Sequence, residues 1–88
     1  MTMTENHHSR RTVTISERAL VQRINRKLAP DFEQLRVARI DSRVEFDFGR
    51  YYLINQSLNF VIAKNCDLET LGRELGVLTA FESLEDEA

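Results

Sequence analysis

Residues 13–30 read VTISERALVQRINRKLAP, and whether this stretch is a helix decides how the rest of the chain is covered. Its apolar residues fall at Leu20, Val21, Ile24 and Leu28. At about 100° per residue, with Ile24 at zero, Leu20 lies near about −40°, Leu28 near about +40° and Val21 near about +60°. A stripe of that width seals one side of a small sheet. Two starts compete: Thr14 with Glu17 three residues on forms a capping box, whereas Ser16 as N-cap lets Ile15 staple onto Leu20. Pro30 biases the residue before it away from helical angles, so the helix stops near Ala29. Opposite the stripe stand Arg18, Gln22, Arg23 and Arg26, with Asn25 and Lys27 on its flanks.

Downstream, the period changes from helical to alternating. After a turn at DFEQ, the run EQLRVARI (33–40) sets Leu35 and Val37 against Arg36 and Ala38, as a half-buried strand does. RVEFDF (43–48) alternates more strictly and is expected as a second strand, with Val44, Phe46 and Phe48 on one face. Gly49-Arg50 then suits a type II′ hairpin turn, or equally a bulge in one long strand. YYLIN (51–55) and NFVIAK (59–64) are apolar on both faces, as strands covered on two sides are. A last helix is expected over DLETLGRELG (67–76), with Asp67 as N-cap, a Glu69–Arg73 pair and Gly76 as the stop. Gly72 inside it costs about 1 kcal/mol relative to alanine, which implies close approach of a neighbour.

The fold class expected from this order is α+β: a two-layer sandwich, α-β-β-(β)-α, with a small antiparallel sheet and two helices on one face. Residues 1–12 are expected to form a polar, flexible N-terminal tail, residues 13–80 a single domain, and residues 81–88 an acidic tail. Two helical stripes cover only one sheet face. The apolar residues of the late strands, Tyr51, Tyr52, Leu53, Phe60 and Ile62, are therefore the candidate interface, and a second copy of the chain is the simplest cover.

Charge is unevenly distributed. Residues 1–50 carry 10 Lys and Arg against 7 Asp and Glu, a balance of +3, and residues 51–88 carry 2 against 7, a balance of −5. The arginines at 10, 11, 18, 23 and 26 make a candidate nucleic-acid surface, in which Arg10 and Arg11 act as an arm ahead of a basic helix face. The overall charge of −2 weighs against that reading.

Chemistry has few parts to draw on. His7 and His8 are the only histidines and are neighbours in the polar tail. The one cysteine, Cys66, precedes a helix start, where a thiolate is favoured, but it has neither a CxxC partner nor a histidine in the ordered chain, and a small half-buried residue is the better reading. No phosphate-cradling loop is present among three glycines. The expectation is a protein that is not an enzyme, with no catalytic residue, metal, cofactor or small-molecule substrate. With no apolar run longer than four residues, neither a signal peptide nor a membrane span is expected, which points to the cytoplasm.

The runs TISERALVQRINRKLAPD (14–31), GRYYLIN (49–55) and DLETLGRELGVL (67–78) resemble a family of small proteobacterial proteins of about 80–90 residues. These are often borne by plasmids and mobile elements and have no established activity. The resemblance spans residues 12–78 and implies a bacterial cytosolic accessory protein, with no catalytic residues attached. Self-association or a protein partner is the leading expectation, and nucleic acid the alternative.

Overall fold

A computed structural model describes residues 13–85 of the chain. The elements run β1 (Val13–Ile15), α1 (Glu17–Leu28), a 3-10 turn (Ala29–Asp31), β2 (Glu33–Val37), α2 (Arg43–Phe48), β3 (Tyr51–Asn55), β4 (Phe60–Ala63), α3 (Leu68–Glu74) and β5 (Glu82–Leu84). The class is α+β, as the patterning implies.

Helix α1 starts at Ser16, whose hydroxyl accepts from the Ala19 amide at 3.1 Å. That settles the choice between the two caps, and Ile15 joins the same apolar cluster as Leu20. Leu20, Ile24 and Leu28 are buried along the stripe. They meet Leu35 of β2, Leu68 of α3 and Leu78, with Tyr51 and Leu53 of β3 and Leu71 and Leu75 of α3 packed around them. Gly72 allows this approach: a Cβ there would sit 3.0 Å from Leu20 Cδ1 and 3.3 Å from Leu78 Cβ.

Strands β2, β3 and β4 form an antiparallel sheet in that order. Leu35 pairs with Leu53, Arg36 with Tyr52 and Gln34 with Ile54. Because successive residues alternate faces, Leu35, Tyr51 and Leu53 turn toward the helices, whereas Gln34, Arg36, Tyr52 and Ile54 form the reverse face. A register shift between Leu53 and Ile54 inserts an extra residue, Ile62, into β4.

Two expectations are overturned. RVEFDF is a helix and not a strand. Ser42 accepts from the Glu45 amide at 3.1 Å as N-cap, and Glu45 Oε1 reaches back to accept from the Asp41 amide, one residue before the cap, at 2.7 Å, so Ser42 and Glu45 both tie down the helix start. Arg43 and Asp47 add an i,i+4 pair at 3.3 Å. In a helix Val44 and Phe48 share a side while Phe46 points away, and Phe46 is 86% exposed. Gly49, expected in a hairpin turn or a bulge, instead ends α2 at φ +86° against Asn65, whose amide donates to the Phe48 carbonyl at 2.8 Å.

The second concerns the chain end. Glu82–Leu84, expected in the acidic tail, is a strand pairing in parallel with β1 through Val13–Glu82, Thr14–Ser83 and Ile15–Leu84. Three residues carry no readable period, and their partners are distant in sequence. The N-terminal tail (1–12) and residues 86–88 lie outside the described residues. Among the described residues, no helix is long and apolar enough to cross a membrane.

Candidate interaction surfaces

A strand at a sheet edge leaves every second N–H and C=O pair unbonded, so the question for each edge is what satisfies it. At β2 the answer is Asn25 of α1. Its Nδ2 donates to the Leu35 carbonyl at 3.2 Å, and its Oδ1 accepts from the Leu35 amide at 2.6 Å. One amide side chain thus imitates a neighbouring strand at Leu35, the middle residue of that edge.

Strand β5 is held similarly by α3. Glu69 Oε2 accepts from the Leu84 amide at 3.2 Å, and Arg73 donates to the carbonyls of Glu82 at 3.0 Å and Thr79 at 2.9 Å. Strand β4 differs. Among the described residues, no side chain bonds to its outer edge, and it carries Phe60 at 49% and Ile62 at 42% exposure. Phe32 and Leu58 lie at the same end of the sheet, since Phe32 accepts from Gln56 in the hairpin loop and Phe60 pairs with Asn55. They are 63% and 70% exposed.

The five residues expected at an apolar interface therefore separate. Tyr51 and Leu53 face the core and are corrected to packing residues. Tyr52 lies on the reverse face, where the Phe48 ring meets it at 5.3 Å between centroids, so α2 supplies part of the cover expected from a second copy. The remainder of that face is a shallow groove of about 160 Å³ lined by Arg36, Tyr52, Ile54, Asn59, Phe60 and Val61. It mixes polar and apolar groups, so it is not the continuous apolar face expected. Phe60 and Ile62 remain accessible.

The basic residues separate too. Arg10 and Arg11 lie outside the described residues. Arg18 and Arg26 are exposed on α1. Arg23 is committed: its Nη1 donates to Glu82 Oε1 at 2.9 Å and to the Val77 carbonyl at 3.0 Å. The Arg23 guanidinium, with a bond from the Thr79 amide, holds the Glu82 carboxyl below its ordinary range. Arg23, Arg26, Lys27 and Val77 line an open groove of about 480 Å³.

Two other polar features are structural. Tyr51 donates to Glu17 Oε2, which also takes Arg50 at 3.4 Å, while Arg50 donates to the Ala38 carbonyl. Burial, with the Glu17 bond, pushes the Tyr51 phenol up to about 12, so it stays protonated at neutral pH. Burial also pushes the Cys66 thiol up, contrary to the thiolate that a position before a helix start favours. Among the described residues, no group of three His, Cys, Asp or Glu is placed to hold a metal.

Sequence reasoning placed Asn25 and Lys27 only as flanks of a stripe. A polar amide bordering an apolar stripe was the one available sign that Asn25 reaches a strand edge. Comparison of the chain with protein-family models, with curated proteins and with solved structures found no match.

Proposed function

We propose that the chain is a non-enzymatic protein-interaction module that self-associates through β4 and the hairpin end of its sheet. A bacterial, cytoplasmic accessory role on a mobile element, as its sequence resemblance implies, belongs to the same reading. The observation that carries it is the contrast between edges: helix side chains bond to β2 at Leu35 and to β5, while among the described residues none bonds to β4, which presents Phe60 and Ile62 beside Leu58 and Phe32. Four strand residues and a bulge allow few main-chain bonds, so side chains must supply most of the contact. Fully burying such a side chain contributes about 1.5–3 kcal/mol, against an association cost of about 4–15 kcal/mol. The balance leaves at most a weak dimer, whose population depends on concentration.

Sedimentation equilibrium across micromolar concentrations tests this, with a Phe60→Glu/Ile62→Lys variant alongside. A dimer that the variant abolishes supports the reading. A parent that stays monomeric refutes it.

A nucleic-acid accessory role is a second reading, favoured by the exposure of Arg18 and Arg26 on one helix face. Glu82 on Arg23 and the net charge of −2 weigh against it. A low-salt gel shift that Arg18→Gln/Arg26→Gln abolishes is its expected signature; no shift by the parent retires it.

A further inference from the structure

We propose that the groove lined by Arg23, Arg26, Lys27 and Val77 receives an acidic peptide segment bearing an apolar side chain. It rests on the reading of the chain as an interaction module, but it uses a surface other than β4.

The three cations occupy positions i, i+3 and i+4 of α1, so they project along one flank within about 6 Å of helix rise. That span suits one or two carboxylates rather than a long backbone track. Its volume of about 480 Å³ accommodates a few side chains, and Val77 supplies an apolar wall.

The protein itself displays the recognition mode. Glu82 sits on Arg23 with its carboxylate shared with the Thr79 amide. Among the described residues, Arg26 and Lys27 have no carboxylate within ion-pair distance, so the groove holds one matched cation and two unmatched ones. An arriving carboxylate on Arg26 and Lys27, with an adjoining apolar residue against Val77, completes the pairing. The short span also selects peptide over polynucleotide. A phosphate chain laid along α1 runs past the three cations and meets the Glu82 carboxylate at the groove's edge.

The test uses the full chain and a fluorescein-labelled peptide, ESLEDEA, the sequence of residues 82–88, in which acids flank a leucine. Fluorescence anisotropy at low ionic strength is expected to show saturable binding. The variant Arg26→Gln/Lys27→Gln should bind about tenfold more weakly with an unchanged circular dichroism spectrum, and a peptide with glutamine and asparagine for its acids should not bind. Equal binding by parent and variant overturns the proposal, as does absence of binding to the acidic peptide. A thymidine oligonucleotide that binds more tightly than the peptide and is lost in the same variant assigns the groove to phosphate instead. The Phe60→Glu/Ile62→Lys variant separates the two claims. Peptide binding by a chain that never dimerises sinks self-association alone; a dimer indifferent to the peptide sinks the groove alone.

Discussion

Replacing Asn25 with alanine removes two hydrogen bonds at once and leaves both backbone groups of Leu35, a residue only 2% exposed, without their partner. Each such bond contributes a net of about 0.5–1.5 kcal/mol, and a buried group left unsatisfied costs about 1–3 kcal/mol. The amide is only partly buried, so water recovers some of the loss, and the lower part of the range applies: about 2–3 kcal/mol in total. For a domain of this size each kcal/mol moves Tm by about 4–8 °C, so a fall of about 10–20 °C is expected in thermal melts followed by circular dichroism. Asn25→Asp is the sharper probe. It keeps the acceptor for the Leu35 amide but faces the Leu35 carbonyl with a second acceptor, so it should be at least as destabilised as the alanine variant. Urea titration supplies the free energy independently. If Asn25→Ala stays within about 0.5 kcal/mol of the parent, or Asn25→Asp matches the parent, Asn25 does not bond to the β2 edge at Leu35.

Other outcomes follow from single sites. Gly49→Ala combines φ +86° with a Cβ 2.8 Å from Asn65 Cα, so it should cost at least about 2–3 kcal/mol; Gly76→Ala, at φ +75° with open space, should cost only about 1–2 kcal/mol in the same urea assay. Tyr51 has a folded pKa near 12 against an ordinary value near 10.0, so its contribution to stability is complete below pH 10 and is lost as pH rises toward 12. Phenolate absorbance should show a late-ionising tyrosine that Glu17→Gln brings to lower pH; an unmoved titration contradicts the bond to Glu17. Cys66, with its thiol pushed up by burial, should react with iodoacetamide at neutral pH more slowly than it does in the denaturant-unfolded chain, and equal rates would contradict that burial.

What could be read from the residues divides along physical lines. The stripe of α1, the N-cap of α3 and the close approach at Gly72 are local or periodic signals, and each is present in the fold. Helix α1 ends at Leu28, but Ala29 keeps helical angles (φ −54°, ψ −42°) and a 3-10 turn carries the chain through Pro30, so the stop does not come from the bias that proline places on the residue before it. RVEFDF misled because period two is compatible with a short helix whose one outlying apolar residue, Phe46, faces solvent. The S-x-x-E cap at Ser42 and Glu45 was the stronger local signal. The β1–β5 pair was invisible because three-residue strands have no period and their bonds join the two ends of the described chain. For the same reason, sequence alone could not show that Arg23 is spoken for: its partner Glu82 is adjacent only after folding. Tyr51 and Tyr52 were indistinguishable as neighbours in an apolar run. The register with Val37 and Arg36 sends one to the core and the other beneath Phe48.

Hydrogen–deuterium exchange of the full chain at dilute and at high micromolar concentration tests the proposed self-association most directly. Amides of Phe60–Ala63 and the adjoining hairpin should exchange more slowly as concentration rises, while the Leu35 amide of β2, already bonded to Asn25, should not change. Exchange in β4 that is the same at both concentrations, or protection that grows on the α1 face instead, would contradict association through this edge.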